Sequence, residues 1–176
     1  PLILMTPKSL LRHKECVSKV EDFTGASTFH RVLYEDNPPC SDKDTKRLIL
    51  CSGKVYYDLI ATRRELGVTD TQVIRLEQLY PYPTEPLVEE LKRFTNVDKV
   101  IWCQEEPGNM GAWNFLDRWL EDCMKLAGMK NCSRPEYIGR PPAASPATGL
   151  NKIHLQEQAI LCHKALTGDP AGAAKK

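Results

Sequence analysis

The feature that most restricts what this chain can fold into is a repeated alternation between short apolar runs and stretches of helical period. Residues 2–5, 48–51, 73–76 and 100–103, rich in Leu, Ile, Val and Cys, read as strands, and a short one is expected near Tyr137. Between them lie four stretches of helical spacing. Val55, Leu59 and Leu66 recur through the first, and Leu87, Leu91 and Phe94 through the second. Met110, Trp113, Leu116, Leu120, Cys123 and Ala127 mark a broad face of the third, and Leu155, Ala159, Cys162 and Leu166 mark the fourth. Thr84 is the expected N-cap of the second helix, with Pro86 in its first turn. Thr148 or Asn151 is expected to cap the fourth. Strand followed by helix, several times over, predicts an α/β fold: an open, mostly parallel sheet of about five strands with helices on both faces. Residues 25–45, rich in Asn, Pro, Asp and Ser towards their end, interrupt the pattern as an irregular excursion, and residues 168–176 form a tail expected to be disordered.

Composition then excludes whole classes of function. A formal net charge of +1 with interleaved acids and bases gives no electrostatic footprint for nucleic acid or an anionic membrane. Apolar runs of four or five residues are far too short to span a bilayer. Seven cysteines, an odd number, include no C-x-x-C pair and no Cys/His cluster of zinc spacing. Cys51, Cys103, Cys123 and Cys162 sit in apolar stretches, so reduced core thiols are expected. No initiator methionine or signal peptide opens the chain, and "PLILMTPKSLLRH" starts on an expected strand, as in a piece of a longer polypeptide.

Three stretches have the residue types for chemistry. In "CSGKVYY" (51–57) a strand turns through Ser52 and Gly53 into a helix, a place where free backbone N–H groups can hold an anion. The first glycine of a phosphate loop is missing, however, so a plain tight turn is favoured. In "CQEEPGNMGAW" (103–113) Glu105 and Glu106 stand at a strand's carboxyl end, where ligands of open α/β sheets gather. Adjacent residues of an extended chain face opposite ways and do not converge on one substrate atom. One Glu is therefore expected to face solvent or a partner chain, and the other to accept hydrogen bonds at the next helix's N-terminus. In residues 139–154, "GRPPAASPATGLNKIH", three prolines in six residues force an extended path that serves either as a crossover within the domain or as an interface. His154 has no second ligand four residues on, so a packed or hydrogen-bonded imidazole is expected rather than a metal ligand.

In order and spacing, "TPKSLLRH" (6–13), "SGKVYYDL" (52–59), "RLEQLYPYP" (75–83), "WCQEEPGNMGAW" (102–113) and "GRPPAASPATG" (139–149) together resemble the C-terminal domain of 2-oxoglutarate dehydrogenases, the thiamine diphosphate-dependent first component of that complex. The resemblance runs from residue 1 to about 167, taken here as one domain, and implies a transketolase C-terminal-like fold. The 2-oxoadipate enzymes are the nearest neighbours of that branch. For the whole enzyme it implies oxidative decarboxylation of 2-oxoglutarate in the tricarboxylic acid cycle and transfer of a succinyl group to a lipoyl arm. Thiamine diphosphate and Mg²⁺ would bind in preceding domains across a homodimer interface, and this chain has no Gly-Asp-Gly followed by Asn-Asn to hold them. The implied partners are those domains, a second subunit and the succinyltransferase component, with no nucleic acid and no membrane. The implied compartment is bacterial cytoplasm or the mitochondrial matrix.

On that reading the chain is a structural and dimer-contact domain with no catalytic, cofactor-binding or metal-binding residue of its own. The residues placed at a possible interface or regulatory site are Arg31, Gln78, Gln104, Glu105, Glu106, Asn109, Arg140 and His154. Some bacterial relatives take an adenine-nucleotide or acetyl-CoA effector, held by basic residues that follow the counterpart of "EQLYPYP". Here Thr84, Glu85 and Pro86 follow, and an acid would repel the effector's phosphates, so such a site is not expected although Arg31 and Gln78 remain. The reading from a different class is an autonomous α/β module that binds a nucleotide or other anion at the 51–54 turn.

Overall fold

The computed structural model describes residues 1–169, which fall into two compact units, Pro1–His30 and the chain from Arg31 onward. The first unit has two short 3-10 helices, Lys8–Arg12 and Val20–Phe23, and no buried residue. Residues 2–5, expected as a strand, are neither strand nor helix, and all four apolar side chains are exposed. An apolar run becomes a strand only where a neighbour accepts its backbone hydrogen bonds and covers its faces, and Pro1–His30 contains no such neighbour.

The second unit is the expected α/β domain. Its strands are β1 (Val32–Leu33), β2 (Arg47–Cys51), β3 (Thr71–Leu76), β4 (Lys99–Pro107) and β5 (Glu136–Arg140), in the order β1-β3-β2-β4-β5. Strands β2 to β5 pair in parallel, and β1 closes one edge antiparallel to β3. The helices are α1 (Val55–Leu66), α2 (Thr84–Leu91), α3 (Trp113–Leu126) and α4 (Asn151–Thr167).

Alternate residues of each strand point to opposite faces, so the sheet carries two cores. Leu48, Leu50, Ile74, Leu76, Val100 and Trp102 meet α2 and α3 on one face. Ile49, Cys51, Val73, Ile101, Cys103 and Ile138 meet α1 and α4 on the other. Both faces are covered, which is why the strands read as near-continuous apolar runs. Cys51, Cys103, Cys123 and Cys162 all lie in these cores, and all seven cysteines are free thiols.

The excursion at 25–45 is more ordered than its composition predicts, since it supplies β1 and a buried carboxylate. Both Glu35 oxygens accept from Arg63 of α1, one of them at 2.7 Å, and Arg63 also donates to the Thr71 carbonyl at 3.0 Å. The amide of buried Gln72 donates to the Cys40 carbonyl and the Thr45 hydroxyl, both at 3.0 Å. Side chains of the regular elements thus satisfy the groups of an irregular segment.

Three helix details differ from the sequence reading. Thr84 is the first residue of α2 rather than its cap; Pro83 occupies that position without a side-chain bond, and Pro86 does lie in the first turn. Neither Thr148 nor Asn151 caps α4, whose N-cap position is Leu150. The Thr148 hydroxyl instead donates to the Glu157 carboxylate at 2.5 Å. The inward face of α4 is Gln158, Leu161, Cys162, Ala165 and Leu166, while Leu155 and Ala159 are exposed. The expected face is right in the second half of the helix and rotated away in the first, where a buried glutamine takes the inward place. Of the expected tail, Gly168 ends α4 in the left-handed region (φ 84°), and residues 170–176 lie outside the described residues.

Candidate functional site

The parallel register that sets Cys51 of β2 beside Cys103 of β4 carries both strands to the same end of the sheet. There the first two candidate stretches come together. Gly53 takes φ 73°, which turns the chain out of β2 and starts α1 after Lys54. Two residues beyond Cys103, Glu105 points to the same face and its carboxylate lies 3.0 Å from the Lys54 ammonium. Lys54 also donates to Asp58, one helical turn on, at 2.7 Å. Partial burial by itself would lower the Lys54 pKa, but the hydrogen bonds it donates to Asp58 and Glu105 outweigh it and hold the ammonium above its ordinary value. A lysine engaged by two carboxylates has no charge to spare for an anion at the 51–54 turn.

Arg140, at the end of β5, ties the third stretch to this point. Its guanidinium is buried, and Nη1 donates to the Glu105 carbonyl at 2.5 Å. Nη2 lies 3.1 Å from both the Gln158 side-chain oxygen and His154 Nδ1. Since a guanidinium only donates, Nδ1 of His154 is the acceptor and its ring proton sits on Nε2. Nε of Arg140 is 2.9 Å from the Glu157 carboxylate, an ion pair without hydrogen-bond alignment. Gln158 in turn donates to Asp58 at 2.9 Å. Lys54, Glu105, Arg140, Gln158 and Asp58 therefore form a closed polar ring that joins α1, β4, β5 and α4.

The opposite face of β4 carries the turn into α3. Gln104 is buried; its side-chain oxygen accepts from the Trp102 indole at 2.8 Å and from the Trp113 backbone N–H at 3.0 Å. Its amide donates to the Met110 carbonyl at 2.7 Å. Gly111 must be glycine twice over: φ is 70°, and a Cβ there would lie 2.8 Å from the Gln104 amide. Gly139 is constrained from the other strand, because a Cβ would collide with the Tyr137 hydroxyl curled over it. That hydroxyl lies 3.0 Å from the Arg140 carbonyl and 3.2 Å from that of Glu106.

The eight residues singled out from sequence thus divide. Gln104, Glu105, Arg140 and His154 converge on the carboxyl end of β4 and β5. Asn109 joins them through a reciprocal pair with Ala143 (both 3.0 Å) that fastens the proline segment. Glu106 contributes only its carbonyl, and its side chain faces solvent. Arg31 and Gln78 meet elsewhere, at the β1–β3 edge, where the Arg31 carbonyl accepts the Glu77 and Gln78 N–H groups at 2.9 and 3.2 Å. The two glutamates do face opposite ways. The role expected of one of them at the N-terminus of α3 belongs to Gln104, however, and Glu105 pairs with the lysine at the start of α1. Sequence reasoning missed Asp58, Glu157 and Gln158. One signal was available: Gln158 stands four residues after His154 on a helix, hence on the same face.

A small cavity, about 70 Å³, opens beside this ring between Pro107, Arg140, Ala143, Thr148 and Glu157. Every charged group lining it already has a counter-charge. Among the described residues no three His, Cys, Asp or Glu side chains converge to hold a metal, and no helix is long and apolar enough to cross a membrane.

Comparison with known proteins gives this arrangement its context. Residues 17–166 match the family described as 2-oxoglutarate dehydrogenase C-terminal. The chain is 49% identical over 174 residues to the 2-oxoglutarate dehydrogenase E1 component of Brucella anthropi, 48% to that of Brucella abortus strain S19 and 49% to that of Brucella suis. Each match covers 94% of this chain and 17% of the relative, so the chain spans about a sixth of the length of these proteins. Thiamine diphosphate and Mg²⁺ do not fit the residues present: the strand-end lysine is neutralised by two carboxylates, and the carboxylates are held by lysine, arginine and glutamine.

Proposed function

Because the chain belongs to the 2-oxoglutarate dehydrogenase C-terminal family, we propose that it is the structural and subunit-contact domain of an E1 component. The complete enzyme oxidatively decarboxylates 2-oxoglutarate on thiamine diphosphate and Mg²⁺ and passes the succinyl group to the lipoyl arm of a succinyltransferase. It works as a homodimer, in bacterial cytoplasm or the mitochondrial matrix. The cofactor supplies the carbanion chemistry. The part of this chain in that enzyme is to brace: β4 and its turn present a fixed surface to the catalytic domains.

The observation that carries this reading is the closed ring at the carboxyl end of the sheet. A general acid or base needs a free proton-transfer path to a substrate atom, whereas Glu105 is engaged by Lys54 and Glu106 points away from it. The domain is therefore inactive by itself. Calorimetric titration of the 176-residue chain with thiamine diphosphate and Mg²⁺ tests this. No saturable heat is expected, and micromolar binding would refute the assignment.

A further inference from the structure

Pro1–His30 carries nine exposed large apolar side chains: the four at 2–5, then Leu11, Val17, Val20, Phe23 and Phe29. Leu2 is 85% exposed and Met5 94%. An exposed apolar set of this kind, in a unit without a single buried residue, marks a contact surface.

Two observations say what covers its first part. The family match begins only at residue 17. The relatives match 94% of the chain, more than residues 17–176 can supply, so the likeness continues into residues 1–16. Part of residues 1–16 is thus shared with far longer polypeptides and lies ahead of the region matched by the C-terminal family. The pattern supplies the mode of contact. A strand with one wet face alternates apolar and polar residues, whereas Leu2, Ile3, Leu4 and Met5 are apolar without a break, the pattern of a strand covered on both faces.

We propose that residues 2–5 are the last strand of the preceding catalytic domain. They add to an open edge of its sheet by main-chain hydrogen bonds and are sandwiched between helices. The following helix Lys8–Arg12 is then the connector from that domain to this one. The proposal rests on the reading of the chain as part of an E1 component and adds which residues belong to its neighbour.

The test is hydrogen–deuterium exchange on the full-length polypeptide that contains these residues, with the 176-residue chain alongside. The amides of residues 2–5 should exchange at least about 100-fold more slowly in the full-length protein, and at the rate of an open segment in the chain alone. Successive strand residues face opposite ways, so Ile3→Asp and Leu4→Asp should each abolish that protection while leaving exchange in β2 to β5 unchanged. Equal exchange in both wild-type proteins overturns the proposal, whether or not either variant folds. Loss of protection in only one variant overturns the two-faced strand. Decarboxylation of 2-oxoglutarate by the full-length wild type is measured in parallel, so that failure of the E1 reading is seen separately.

Discussion

Replacing Gln104 by leucine tests whether a buried amide, rather than the paired glutamates, organises the turn after β4. The substitution keeps the volume roughly constant and strands three groups at once. The Trp102 indole N–H is fully buried and donates to Gln104, so losing that acceptor costs about 1–3 kcal/mol. The Trp113 N–H and the Met110 carbonyl are half-buried and recover part of their hydrogen bonding from water, adding about 1 kcal/mol together. The added apolar surface returns about 1 kcal/mol. A net loss of about 1–3 kcal/mol is expected. Urea titration of the 176-residue chain, followed by tryptophan fluorescence, reads this as a lower midpoint at unchanged slope. In a Trp102→Phe background the indole donor is gone, so Gln104→Leu should cost about 1–2 kcal/mol less than in the parent. A loss below about 0.5 kcal/mol, or the same loss in both backgrounds, refutes the reasoning.

Arg140→Met leaves the Glu105 carbonyl, His154, Gln158 and Glu157 without their common donor and should destabilise the domain by about 2–4 kcal/mol in the same titration; a near-neutral result would mean the ring is ornamental. In full-length enzyme, Glu105→Gln and Glu106→Gln should each leave single-turnover decarboxylation within a few-fold of the parent, whereas loss of a general acid or base would slow it roughly 10²–10⁴-fold. A thousand-fold drop at unchanged melting temperature would place Glu105 or Glu106 in the active site. Burial foremost, with Asp58 and Glu105 adding, pushes the Cys162 thiol up to about 12 from an ordinary 9.0. A thiol raised on folding stabilises fully below its ordinary value and loses that contribution as pH rises towards the folded value, so stability should fall from about pH 9 to about pH 12. Cys162→Ala should flatten that fall in pH-dependent urea titrations, and identical slopes would refute it. With the core thiols held protonated, exposed Cys16 should react with a thiol reagent well before Cys51, Cys103 and Cys162, which should label only on unfolding; labelling of Cys51 in the native chain, read by peptide mass analysis, would contradict the packing.

The sequence by itself determined the elements whose signal is local. β2, β3 and β4 announce themselves as apolar runs because both sheet faces are covered, and α1, α2 and α3 through spacings that each helix reads within its own length. What the sequence left open depends on which segments lie side by side. Two residues at 32–33 are too few for any periodic signal, and they become β1 only because β3 offers them an edge. The stronger run at 2–5 has no partner strand in its unit and stays uncovered. The inward face of α4 is turned in its first half by Gln158, a polar residue that no apolar spacing can flag, because Asp58 and Arg140 wait on elements 100 and 18 residues away. The candidate site shows the same division. Glu105 and Glu106 were legible as residues facing opposite ways, since the pleat has a fixed period of two. That Glu105 would meet Lys54, 51 positions away, was decided by the parallel register of β2 against β4, which places their carboxyl ends together. Local period is set by backbone geometry and can be read along the chain; register and ion pairing are set by the packing of distant segments and exist only once the sheet has closed.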